Sequence, residues 1–176
     1  FPQPLAATAL GGSVPTPDAG LLGKVAVFET LENLKRAPAG SLTGRIVYVG
    51  HARQRAQDGS SYGYFNDART AGPSIAASKG AAGYFIRSVG TDSHRFPHTG
   101  SLRYREGIPR IPAMALSNPD ADQIERIATD NQDVTVRMWV DSSELPASQS
   151  GNVIAEIIGR EVPEEIVVIG AHLDSW

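Results

Sequence analysis

Near its C-terminal end the sequence reads EEIVVIGAHLDSW, with His172 and Asp174 two positions apart. In an extended chain a period of two puts both side chains on the same side. A carboxylate so placed accepts the second ring N–H of the imidazole. That fixes the tautomer and leaves the other nitrogen for a metal. A surface histidine beside an acid has the same spacing, so the dipeptide pattern alone leaves both readings open. The remaining histidines are His51, His94 and His98. His94 and His98 stand four apart and could share a metal on a helix, but Pro97 between them argues against a helix. Solvated loop histidines are the plainer reading there. His51 follows a strand end and is given no role. Cysteine is absent, which excludes thiolate metal sites and cysteine nucleophiles.

The element ahead of His172 must position it. IVVIGAHL is a continuous apolar run, as in a strand buried on both faces of a large sheet, and open α/β sheets bind ligands beyond the carboxyl ends of their strands. NVIAEIIGR, the polar turn REVPEE and EEIVVIGAHL read together as a hairpin, with the acidic run a solvated turn. Upstream, strands are predicted near residues 24–29, 45–49, 83–89, 111–115 and 133–141. In the last of these Val134, Val136, Met138 and Val140 point one way and Thr135, Arg137 and Trp139 the other. Helices are predicted over TLENLKRAP, capped by Thr30, over residues 72–79 with Gly80 just past the end, and over SNPDADQIERIAT, capped by Ser117. The last should bury Leu116, Ile124 and Ile127. Residues 51–66 show no period and read as a loop, with YGYF favoured as core over an interface patch. A long polar loop follows the strand near 83–89 and carries His94 and His98; loops of that length in a compact domain are often functional. The fold class is α/β (α+β): a mixed β-sheet or open β-barrel with flanking helices, then a hairpin of a separate α/β layer.

Composition excludes several function classes. Of the 176 residues, 41% are apolar and the formal charge is −3, so a real core is available and no basic stripe marks a nucleic-acid binder. No apolar run approaches the ~20 residues that span a bilayer. The first residue is Phe1, and FPQPLAATAL has no basic n-region and two prolines, so it is not an intact signal peptide. The chain reads as excised from something longer. Residues 1–19 are expected to be a Gly- and Pro-rich lead-in. A change in composition near residue 148 marks a domain boundary.

NVIAEIIGREVPEEIVVIGAHLDSW closely resembles the start of the catalytic domain of zinc exopeptidases of the aminopeptidase Y and glutamate carboxypeptidase type. There a hairpin of this form runs into a His-Leu-Asp-Ser/Thr motif. The Trp176 that follows, with TALGGSVPTP, GYFIRSV, FPHTG, GIPRIPAMAL and NPDADQIERIA upstream, is similar to the carboxypeptidase Q-like branch. The resemblance implies a protease-associated (PA) domain over residues 20–147, inserted before the first catalytic strands at 148–176. It also implies that His172 is one ligand of a two-zinc site and that Asp174 is a supporting carboxylate in the parent enzyme. The loop with His98 and Thr99 would border the substrate cleft. Peptide substrates and a secreted or periplasmic location follow from the same resemblance. One histidine cannot hold a catalytic zinc, which takes three protein ligands and a water, so this chain alone is expected to be inactive and metal-free. PA domains also occur in receptors and sorting proteins, and a non-catalytic binding module is the alternative. The uncovered hairpin is expected to dock on its own PA domain or to pair with a second copy of the chain; pairing as a homodimer is favoured.

Overall fold

A computed structural model describes residues 2–51, 55–58, 60, 62–130 and 133–173. The chain divides into two compact units, Phe1–Ser143 and Glu144–Trp176.

The first unit is a mixed α/β layer structure. Its strands are β1 (Ala7–Ala9), β2 (Leu21–Phe28), β3 (Ile46–Val49), β4 (Gly83–Arg87), β5 (Ala113–Leu116) and β6 (Thr135–Met138). Its helices are α1 (Leu31–Arg36), α2 (Tyr62–Thr70), α3 (Gly72–Ser78) and α4 (Asn118–Thr129). The strands form one sheet in the order β1-β5-β4-β3-β2-β6. β2 through β5 are mutually parallel, and β1 and β6 are antiparallel additions at the two edges. β2 serves two neighbours: Leu21–Lys24 pair with β6, and Val25–Phe28 pair with β3.

The period of the central strands divides the core. Val47, Val49, Tyr84 and Ile86 join one cluster with Leu31, Leu34 and Ile75, under α1, α2 and α3. Ile46, Tyr48 and Phe85 join the other with Ala121 and Ile124 of α4 and Met138 of β6. Every residue of β3 and β4 is buried, because helices or strands cover both faces of these parallel strands.

Local signals place the helices. The Thr30 hydroxyl accepts from the Asn33 N–H at 3.1 Å, and Leu31 and Leu34 turn inward. Ser117 caps α4 by accepting from the Asp120 N–H at 3.3 Å. α4 buries Ala121 and Ile124, while Ile127 is only half-buried. Gly80 ends α3 in the left-handed region at φ 93°. Gly72 joins α2 to α3 where a Cβ would lie 2.1 Å from the Tyr84 hydroxyl, so only glycine fits. β6 alternates as expected: Met138 and Val140 are buried, and Arg137 and Trp139 are exposed.

Four expectations are corrected. Residues 1–19 are more than a lead-in: β1 pairs with β5, and Leu10 is 1% exposed in the core. The stretch 51–66 is not wholly a loop, because α2 begins at Tyr62. YGYF falls between core and surface, with Phe65 packed on the core and Tyr64 63% exposed. The hairpin of NVIAEIIGR and EEIVVIGAHL does not form. Among the described residues from 144 onward there is no strand. The REVPEE turn survives alone, with the Glu165 N–H donating to the Val162 carbonyl at 3.1 Å. Ile154, Ile157, Val167 and Ile169 are all more than 80% exposed. The reason is physical: a strand is held by ladder partners on neighbouring strands, and a two-stranded hairpin alone is marginal in water.

Candidate functional site

The carboxyl ends of β3, β4 and β5 lie side by side at Val49, Arg87 and Leu116. The loop after β4 begins there, and it is tied down along its length. The Ser88 hydroxyl donates to the Leu116 carbonyl at 2.6 Å and accepts from the His98 N–H at 2.7 Å. The Asn118 amide donates to the Asp92 carbonyl at 3.0 Å. The Arg95 guanidinium donates to both carboxylate oxygens of Asp120 at 3.0 Å and also to the Pro4 carbonyl. The Thr99 hydroxyl donates to the Ala9 carbonyl at 2.7 Å, and Arg69 donates to the Thr99 carbonyl at 3.0 Å. The loop is therefore preformed. Phe96 stands out from it at 75% exposure.

Asp120 is the hub. Besides Arg95 it accepts from the Ala6 N–H at 2.8 Å and the Ser117 hydroxyl at 2.7 Å. Burial alone would raise its pKa, but the bonds from Ser117, Ala6 and Arg95 outweigh burial and hold the carboxyl below its ordinary range. It joins the amino-terminal segment, the long loop and the first turn of α4.

A second polar group sits beneath α4. Arg87 is buried and donates to Glu125 at 2.9 Å and Asp122 at 2.5 Å. The Tyr48 hydroxyl donates to the same Glu125 at 2.7 Å. Burial, reinforced by Glu125, pushes the Tyr48 phenol far up, so it remains a neutral donor. Burial opposes the Arg87 charge, but the two carboxylates more than offset it. A cleft of about 280 Å³ opens beside this network, lined in part by Arg55, Asp92, Asn118 and Asp122. These groups are largely engaged with one another and make a structural staple from α4 to the sheet.

The candidate residues from sequence fall in different places. His98 and Thr99 lie together in the tied loop. His94 is exposed, and its N–H donates to Asp92 at 3.2 Å. His172 lies in the exposed stretch of the second unit, and Asp174 lies outside the described residues. Among the described residues no group of three or more His, Asp and Glu is arranged to hold a metal ion. The imidazole of His172 has the right chemistry for one zinc ligand, and among the described residues no full donor set accompanies it. Asp120 and Arg87 escaped sequence reasoning because, Ser117 aside, their partners lie 25 to 114 positions away along the chain. His51 also escaped it; its ring packs against α2.

No family model matches the chain. In fold, the chain resembles a Peptidase M28 precursor from Shewanella amazonensis SB2B, with a TM-score of 0.77 and 46% identity over 79% of this chain and 31% of that chain. In sequence it is 34% identical to carboxypeptidase Q of Pongo abelii and 33% identical to that of Homo sapiens, each over 172 residues. The match covers 98% of this chain and 35% of each relative. In fold and in sequence the chain is thus similar to part of these peptidases. It spans about a third of the length of the curated relatives it matches.

Proposed function

We propose that this chain is part of a zinc-dependent exopeptidase of the carboxypeptidase Q-like type, acting on peptides outside the cytoplasm, secreted or periplasmic. Residues 20–147 are the PA domain, supported at its edge by β1 from the preceding segment, and residues 148–176 begin the catalytic domain. The observation that carries this reading is the extent of the homology. A match over 172 residues of 176 necessarily includes both units, the sheet and the segment with His172.

His172 would hold one of two zinc ions through one ring nitrogen, and Asp174 would accept the N–H of the other and fix its tautomer. Bound zinc supplies a water acidic enough to attack a peptide carbonyl near neutral pH. The loop with His98 and Thr99 borders the substrate cleft; its many hydrogen bonds suit a wall that shapes access rather than a mobile lid. Alone, the chain is silent, because a catalytic zinc needs three protein ligands.

The test is hydrolysis of dipeptides and aminoacyl anilides with zinc present. We expect turnover from the full reading frame, none from residues 1–176, and loss of the former on His172→Ala. Full activity in the His172→Ala protein would overturn the ligand assignment. A full-length protein that binds peptides without cleaving them would favour a non-catalytic PA module.

A further inference from the structure

At the end of β3, His51 packs edge-on against two rings of α2. Its centroid lies 4.5 Å from that of Phe65 at 88°, and 5.3 Å from that of Tyr64 at 71°. Tyr64 and Phe65 meet edge-on as well, at 5.2 Å, so the three rings form a closed triangle. Backbone bonds hold the base of this cluster: the Gly50 N–H donates to the Phe28 carbonyl at 2.8 Å and the His51 N–H to the Glu29 carbonyl at 2.9 Å. Within the cluster the Nδ1 atom of His51 is buried without a hydrogen-bond partner. A neutral imidazole tolerates this, because Nδ1 can be the unprotonated nitrogen. An imidazolium cannot, because it carries an N–H on both nitrogens and a charge.

We propose that His51 is an acid-sensitive pin: neutral, it holds the first turn of α2 against the end of β3, and protonated, it leaves the ring cluster and frees that turn.

The rest of α2 is anchored independently. The Tyr84 hydroxyl donates to the Ala68 carbonyl at 2.7 Å, Arg69 donates to the Thr99 carbonyl at 3.0 Å, and the Arg103 N–H donates to the Thr70 carbonyl at 2.9 Å. Release therefore stays local. Tyr64 is already 63% exposed and has solvent to move into, whereas Phe65 stays packed on the core. The groups facing His51 set the direction. From α2 come the two rings. From α1 comes Glu32, whose charge favours the imidazolium but which is exposed and bridged by Lys35 at 2.6 Å. Desolvation outweighs Glu32 and holds the His51 pKa below its ordinary value of about 6.5. The contribution of the pin is thus complete above that value. It is lost as pH falls below it, and levels off below the lowered folded pKa.

The test follows the His51 imidazole by NMR in the 176-residue chain, together with amide exchange of Asn66, Asp67 and Ala68, which close the first turn. We expect exchange, corrected for intrinsic rates, to rise several-fold between about pH 7.5 and about pH 5, with the midpoint of the His51 titration. His51→Phe keeps the ring and should abolish that dependence. Glu32→Gln should move the midpoint to lower pH. No acid response in the wild-type chain, or one that survives in His51→Phe, would overturn the proposal. Should His51→Phe fail to fold, an unmoved midpoint in Glu32→Gln would do so.

Discussion

Two stretches of the chain carry nearly the same kind of sequence and meet opposite fates. IVYV in β3 and GYFIR in β4 are wholly buried, with helices or strands on both faces and hydrogen-bonded neighbours on both edges. IVVI at residues 166–169 is more apolar, yet each of its four side chains is at least 79% exposed. By composition alone the second is the better core strand. The difference is in what surrounds them. β3 and β4 find ladder partners within the first 143 residues, and 166–169 finds none among the described residues. Each uncovered side chain of this type forgoes roughly 1.5–3 kcal/mol of burial. Hydrophobicity states what a strand needs, and topology decides whether the need is met.

Matched truncations should give the largest effect. Ile86→Ala, at a side chain 1% exposed, should cost about 2–5 kcal/mol in urea unfolding, while Ile169→Ala, at 92% exposure, should leave the midpoint unmoved. Equal effects at the two positions would break the comparison.

Next comes the Asp120 hub, which binds the first unit to its own amino-terminal segment. Asp120→Asn should destabilise by roughly 1–2 kcal/mol, since donors from Ala6, Ser117 and Arg95 lose their shared carboxylate. Its folded pKa is depressed, so its contribution is complete above the ordinary value near 3.8 and disappears as pH falls through the folded pKa. The variant should therefore flatten the acid limb of the stability profile, measured by thermal unfolding against pH.

The smallest expected change in stability is the most instructive. Ending the chain at Ser143 should leave the unfolding transition of the first unit unchanged, within about 0.5 kcal/mol. Its association should change nonetheless. We expect the 176-residue chain to self-associate at micromolar concentration through the uncovered 149–173 segment, and the shortened chain to be monomeric by light scattering. Monomers in both cases would leave that segment tolerated in water and remove the case for a homodimer.

Much of the first unit was legible because its signals are local. Thr30 and Ser117 cap where they should, Gly80 ends α3, and the alternation of β6 gives the correct buried face. β1 was not legible: three residues of ATA become a strand only because β5 offers an open edge. Nor was α2, whose Gly, Asn and aromatic residues are poor helix formers and which is held by Tyr84, Thr99 and Arg103 from elsewhere in the fold. The hairpin failed for the converse reason: its period is strong but its partners are not local. At the site, the bonds that tie the loop of His98 and Thr99 were not legible, since they come from Ser88, Ala9 and Arg69.

The strands of the first unit find their partners within it, whereas residues 166–169 pair with no strand among the described residues. Amide hydrogen exchange of the 176-residue chain, at a dilution where it is monomeric, tests this directly. Strong protection of residues 46–49 and 83–87 is expected, with exchange near the intrinsic rate for 166–169. Protection of 166–169 equal to that of 83–87 in the monomer would contradict it.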